Sequence, residues 1–263
     1  MTAGPVIADS TTGDLGGVAD DLARASLAMA RRYNVPGTTL WCASRRWPFH
    51  AHHVAVEFVH PVIVGKRALA ALTVPTGADV VATLRASVRP GDMVLALAPA
   101  DDRAVADVMR RGPAWGVETI WIGHGERPPA GSADHVVWLD TADELQASEQ
   151  FVRLYHMLWE LTHVCFEHPG LLKAQPECTD SVCITCSDEG RLAEVVLVEG
   201  DEAIVRTAEG QERIDVSLIE PVPSAGDLVL VHAGFAIGSP AADDPGGQPQ
   251  QTFTGAPSET ADQ

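Results

Sequence analysis

A chain of 263 residues, 46% hydrophobic, is long enough for one large domain or two unequal ones. Its 36 acidic against 18 basic side chains leave a formal charge of −18, which excludes a nucleic-acid binder or an anionic membrane surface, since both need clustered Lys and Arg. The same charge favours solubility and a basic protein partner.

No segment reaches the roughly 18 uninterrupted apolar residues of a membrane span. The first residues lack the basic start and apolar core of a secretory leader. Five cysteines, an odd number, suit a reducing cytoplasm better than a disulfide framework, so a cytoplasmic location is expected.

Residues 1–14 are polar and read as a flexible N-terminus. Over 15–33, Leu22, Ala25, Leu27, Ala28 and Ala30 predict an Ala-rich helix that ends at Asn34 and Pro36. Strands are then expected at 38–42, 68–74, 93–98, 117–122 and 135–139. Helices are expected at 50–60, 78–87, 101–111 and, as a long closing element, 142–167. Short apolar strands separated by amphipathic helices imply a mainly parallel sheet covered on both faces, an α/β sandwich spanning 15–168.

His168-Pro169-Gly170 terminates the long helix, and 169–182 reads as a linker. Short strands follow at 195–198, 203–207, 212–216 and 228–231, with turns at Glu199-Gly200-Asp201 and Glu209-Gly210-Gln211. They predict a small OB-like β-barrel over 183–238, whose thin core would gain from docking on the first domain. The last apolar strand reaches His232, breaks at a glycine and is expected to stop there. Residues 239–263, poor in apolar side chains, read as a disordered tail.

In the first domain, Pro90-Gly91-Asp92-Met93-Val94-Leu95-Ala96-Leu97, Trp115 to Gly123, and Ser132-Ala133-Asp134-His135-Val136 resemble the SIS (sugar isomerase) fold, nearest its phosphoheptose isomerase branch. That family cradles a sugar phosphate with Gly- and Ser-rich loops. Here the first loop, Ala43-Ser44-Arg45-Arg46-Trp47-Pro48-Phe49, has one hydroxyl and no glycine, and the second, Ala98-Pro99-Ala100-Asp101-Asp102, places two carboxylates where a phosphate would lie.

Isomerase activity is therefore expected to be lost, leaving this half a dimerisation or scaffolding role. One remnant stands out. His53 and Glu57 are four apart on one helix face, and His156 falls where the resemblance implies a further metal ligand, with Ser148 in place of the family's Gln. Imidazole and carboxylate together suit a divalent first-row metal such as zinc. The competing expectation is that these polar groups only hydrogen-bond one another. His50, His52 and His60 read as solvated residues, and Cys42 and Cys165 as core residues.

In the second domain, Asp227 through Ile237, the Val195-Val196 pair, the Glu199-Gly200-Asp201 turn and Ala203-Ile204-Val205 resemble the HypC/HupF family of hydrogenase maturation chaperones. The resemblance implies a Cys ahead of the barrel. Cys183-Ile184-Thr185-Cys186 offers two, without the family's usual proline, and Cys183 is favoured for its following aliphatic residue. A second thiolate would strengthen the hold on a soft iron, with His232 ligating it or orienting the thiolate.

Three other readings stay open: a structural zinc site with Cys178 and a distant His168, a thioredoxin-like redox pair, and a surface dithiol. Nucleic-acid binding does not fit, because residues 190–238 hold nine carboxylates against three arginines and one aromatic side chain.

Taken together, the resemblances imply a non-catalytic accessory chaperone for [NiFe]-hydrogenase assembly. It would dock a HypD-like scaffold, hold iron carrying cyanide and carbonyl ligands transiently at Cys183 and Cys186, and deliver it to the large-subunit precursor. A homodimer through the SIS-like half is the further partner implied. The alternatives are a phosphosugar-binding or isomerising enzyme and a metal-dependent regulator using His53, Glu57 and His156.

Overall fold

The computed structural model describes residues 15–173 and 190–240. The expected N-terminal segment, most of the linker with Cys178, the Cys183/Cys186 pair and nearly all of the tail lie outside the described residues.

A short 3-10 turn leads into α1 (Ala19–Tyr33), which buries Leu22, Ala25, Ser26, Met29, Ala30 and Tyr33 at the three-and-four spacing of one helix face. Then come β1 (Leu40–Ala43), α2 (Pro48–Val59), β2 (Ala71–Thr73), α3 (Val80–Ser87), β3 (Met93–Leu97), α4 (Arg103–Arg111), β4 (Glu118–His124), β5 (His135–Leu139) and α5 (Glu144–Glu167). Proline opens α2, where its missing N–H costs nothing. Carboxylate caps open the next three helices: Asp79 accepts from Ala82 N, Asp102 from Val105 N, and Asp143 from Leu145 N and Gln146 N.

All five strands run parallel in the order β2-β1-β3-β4-β5. Alternation along each strand feeds two cores. Met93, Leu95, Leu97, Ile120 and Ile122 point into the layer shared with α1, α2 and α5, whereas Val94, Ala96 and Trp121 point into the layer shared with α3 and α4.

The barrel strands are β6 (Arg191–Glu199), β7 (Glu202–Thr207), β8 (Gly210–Asp215), β9 (Leu228–His232) and β10 (Phe235–Gly238). They close in the order β10-β8-β7-β6-β9. The chain does not stop after His232, as the sequence leads one to expect. Ala233 (φ 50°) and Gly234 (φ 84°) make a tight turn with both residues left-handed, and β10 returns to pair Phe235 with His232 and Ala236 with Val231. This short return strand also touches β8, and so seals the barrel. The interior is small: Ala193, Val195, Ala203, Val205, Ile214, Val216, Val229, Val231 and Ala236.

That thin core is supplemented by docking on the sandwich. Leu228 and, partly, Leu192 join the α3/α4 core layer. Glu194 of β6 is 1% exposed and receives Arg85 Nε at 3.0 Å, Arg111 Nη1 at 2.9 Å and Trp115 Nε1 at 3.1 Å. In return, Arg206 of β7 donates to the Arg85 carbonyl at 2.8 Å. Gly116 lets the two backbones meet. A Cβ there would lie 3.1 Å from Ala208 Cα, and its φ of +72° already favours glycine. Pro90 and Gly116 precede β3 and β4, so the barrel sits at the N-terminal ends of the sheet strands.

Candidate functional site

On the sheet face opposite α3 and α4, α2 and α5 lie side by side and bring three expected ligands together. One ligand atom each from His53, Glu57 and His156 lies within 4.8 Å of the others. Glu57 Oε1 is 3.2 Å from His53 Nε2 and 3.3 Å from His156 Nε2.

The outer ring nitrogens are held as well. His156 Nδ1 donates to the Val152 carbonyl at 2.6 Å, which leaves Nε2 facing the carboxylate. His53 Nδ1 meets the buried Tyr155 hydroxyl at 2.7 Å. Burial, and secondarily the Glu57 charge, push the Tyr155 phenol up to about 12, so it keeps its proton at neutral pH. The two imidazoles are partly exposed, each with 41% of its side-chain surface accessible, so the cluster opens to solvent. The set fits a divalent first-row ion with open positions for exchangeable ligands.

Behind the cluster the structure corrects one expectation. His52 and His60 are exposed as expected, but His50 is only 1% exposed. Its ring packs among Phe49, Phe151 and Tyr155, and its Nε2 is 2.8 Å from Ser148 Oγ. Ser148, where the resemblance implies a further ligand, is therefore tied to His50.

Nδ1 of His50 and Nε2 of the equally buried His124 have no hydrogen-bond partner among the described residues. Burial first, and then the neighbouring His53, push His50 down to about 4. The unfolded chain, with a His near 6.5, thus binds a proton that the native protein refuses between about pH 6.5 and 4. Stability should fall as pH drops through that window. Thermal melts of the wild type and a His50→Gln variant check this, the variant showing the shallower slope.

At the C-terminal ends of the sheet strands, beside α3 and α4, lies an open groove of about 1510 Å³, lined by Arg45, Asp79, Asp101, Arg103, Asp107 and Arg110. The N-termini of α3 and α4 facing this region are already occupied by their own carboxylates. Asp79 accepts from Ala82 N at 3.0 Å, and Asp102 accepts from Val105 N at 3.2 Å while pairing with Arg45 at 3.0 Å. Asp107 holds both Arg110 and Arg111. Few cationic or N–H groups remain for an anion.

At the barrel, His232 ends β9 partly exposed, next to the turn. Arg191 pairs with Val231, so the chain enters the barrel at Gly190 beside His232. A Cβ on Gly190 would sit 3.1 Å from Leu230 Cδ1, which shows how closely the entering chain passes the hairpin. Cys183 and Cys186 lie outside the described residues. Cys42 and Cys165 are buried, and burial raises both thiols, as suits core residues.

Fold and site thus define a small β-barrel module docked on a parallel-sheet sandwich. Residues 191–240, the barrel, match the family model described as HupF/HypC family.

Among solved structures, the sandwich is similar to a phosphoheptose isomerase from Francisella tularensis, at 12% identity and a TM-score of 0.49, covering 56% of this chain and 87% of that one. A phosphoheptose isomerase from Neisseria gonorrhoeae is similar at 15% identity and a TM-score of 0.46, covering 55% and 86%. The sugar isomerase domain of an RpiR transcription factor from Sphaerobacter thermophilus is similar at 18% identity and 0.40, covering 61% and 90%. A search of curated proteins finds no significant match to the chain. No helix among the described residues is long and apolar enough to cross a membrane.

Proposed function

We propose that this protein is a maturation chaperone for [NiFe]-hydrogenase which carries an iron–cyanide–carbonyl unit at Cys183, with Cys186 and His232 beside it. It would take that cargo on a HypD-like scaffold and pass it to the large-subunit precursor, with no turnover of its own. The observation that carries the reading is the HupF/HypC match over the barrel.

Geometry adds to it. Cys186 is four residues ahead of Gly190 in the chain, a covalent reach of at most about 14 Å from a point beside His232. Thiolates are the ligands for a soft, low-spin iron, and a neighbouring imidazole either completes the set or orients the sulfur. His232→Ala should lower iron retention about 10- to 100-fold, as loss of an outer partner does at other metal sites. Iron content after anaerobic purification checks this, and unchanged iron would remove His232 from the site.

A second reading concerns the sandwich, favoured by the convergence of His53, Glu57 and His156. This half would hold an exchangeable divalent metal such as zinc and no sugar phosphate, since the helix N-termini carry their own carboxylates. A sugar phosphate that raises the melting temperature would instead restore the isomerase alternative.

A further inference from the structure

The metal reading leaves one group in the α2/α5 cluster unexplained. Tyr155 is 1% exposed, on a helix face that is otherwise apolar: Phe151, Leu154 and Leu158 share its layer. A phenylalanine would fill the same space. Its hydroxyl is spent on one contact, His53 Nδ1 at 2.7 Å. Its ring stands edge-on to the His53 ring, with centroids 5.2 Å apart, and 5.1 Å from the ring of His156. It thus packs against both imidazoles, which also touch each other, with centroids 5.1 Å apart, and whose Nε2 atoms face Glu57.

For a histidine to ligate through Nε2, its proton must sit on Nδ1 and be held there by an acceptor. His156 meets this condition through the Val152 carbonyl, a fixed acceptor. His53 meets it only through Tyr155, whose hydroxyl oxygen either accepts from Nδ1–H or donates to a bare Nδ1. The two imidazoles are therefore held unequally, one locked by backbone and one by a rotatable hydroxyl.

Resting on the second reading above, we infer that Tyr155 is a positioning residue for a divalent metal at His53, Glu57 and His156, selecting the His53 tautomer that turns Nε2 to the ion. With the hydroxyl donating, His53 Nε2–H pairs with Glu57 and the cluster closes on itself. With the hydroxyl accepting, His53 and His156 both offer lone pairs beside one carboxylate.

The test uses the full chain with Cys178, Cys183 and Cys186 replaced by alanine, so that thiolates cannot take the ion. Zinc is titrated by calorimetry, and cobalt(II) is followed by its visible absorption. The parent should bind one ion per chain, and His53→Ala and His156→Ala should each abolish binding. Tyr155→Phe, which keeps the ring and the metal-free melting transition, should bind about 10- to 100-fold more weakly and with an altered cobalt spectrum. A Tyr155→Phe protein with the parent's affinity and spectrum would overturn the positioning role while leaving the metal site intact. A parent that binds no zinc or cobalt would overturn both, and neither result bears on the barrel.

Discussion

Replacing Glu194 with alanine should uncouple the barrel from the sandwich. The carboxylate is buried at the domain boundary, where it accepts from Arg85, Arg111 and Trp115 at 2.9–3.1 Å. Removing one partner of a buried pair costs on the order of 3 kcal/mol, because the groups left behind lose their partners. Arg111, at 17% side-chain exposure, has less access to water than Arg85 at 40% and carries most of that penalty. It retains Asp107 and the Gly226 carbonyl, which keeps the loss near the lower end of the range.

The barrel has only nine buried apolar residues of its own, mostly alanine and valine, so its independent stability is small. Calorimetry on the wild type should show one cooperative transition. Glu194→Ala should show two, the barrel melting first. Glu194→Gln, which keeps two hydrogen-bonding atoms without the charge, should fall between. One unshifted transition in Glu194→Ala would mean that the packing of Leu228 and Leu192 alone couples the domains.

That boundary also marks the limit of what the sequence reveals. The layered sandwich was legible because its signals are local: the apolar run of β3, the helical stripe of α1, and the proline after α5. The hairpins of the barrel were legible from glycine turns between alternating strands.

Glu194 gave no such signal. Its arginine partners stand 109 and 83 residues away, and the strand expected at 195–198 leaves it out. His50 was misread for the same reason, since Ser148 lies 98 residues further on. The last strand, Phe235–Gly238, is four residues long and bounded by glycines, so only the closure of the barrel reveals it. Of the candidate site, the His53/Glu57 spacing was readable on one helix, and His156 rested on the resemblance. Tyr155 had no sequence signal, because a tyrosine on an apolar stripe looks like core.

The arrangement separates two chemistries. The barrel docks at the N-terminal ends of the sheet strands beside α3 and Trp115, while the His53/Glu57/His156 cluster lies on α2 and α5, across the sheet from α3 and α4. A substitution at one should therefore leave the other unaltered, as additivity for distant sites requires. The sandwich then holds the barrel through Glu194, Arg206 and Leu228, the first residue of β9. Leu230, Phe235 and Ile237, each more than a third exposed, flank His232 on the β9–β10 hairpin.

The second large effect is expected at the paired cysteines. Iron bearing cyanide and carbonyl needs soft sulfur donors, and neither His232 nor a carboxylate replaces a thiolate for such an ion. A Cys183→Ala, Cys186→Ala double variant should therefore lose its cargo and fail to support hydrogenase maturation in its host. Both domains should still fold, because the described core uses neither residue.

Infrared spectroscopy of anaerobically purified protein, with iron quantified on the same sample, tests the chaperone reading most directly. Cyanide and carbonyl stretching bands in the wild type, absent from the double variant, are the predicted result. A wild-type protein without bands or iron but with one zinc per chain, lost in the double variant, would contradict it and make the cysteine pair a structural zinc site.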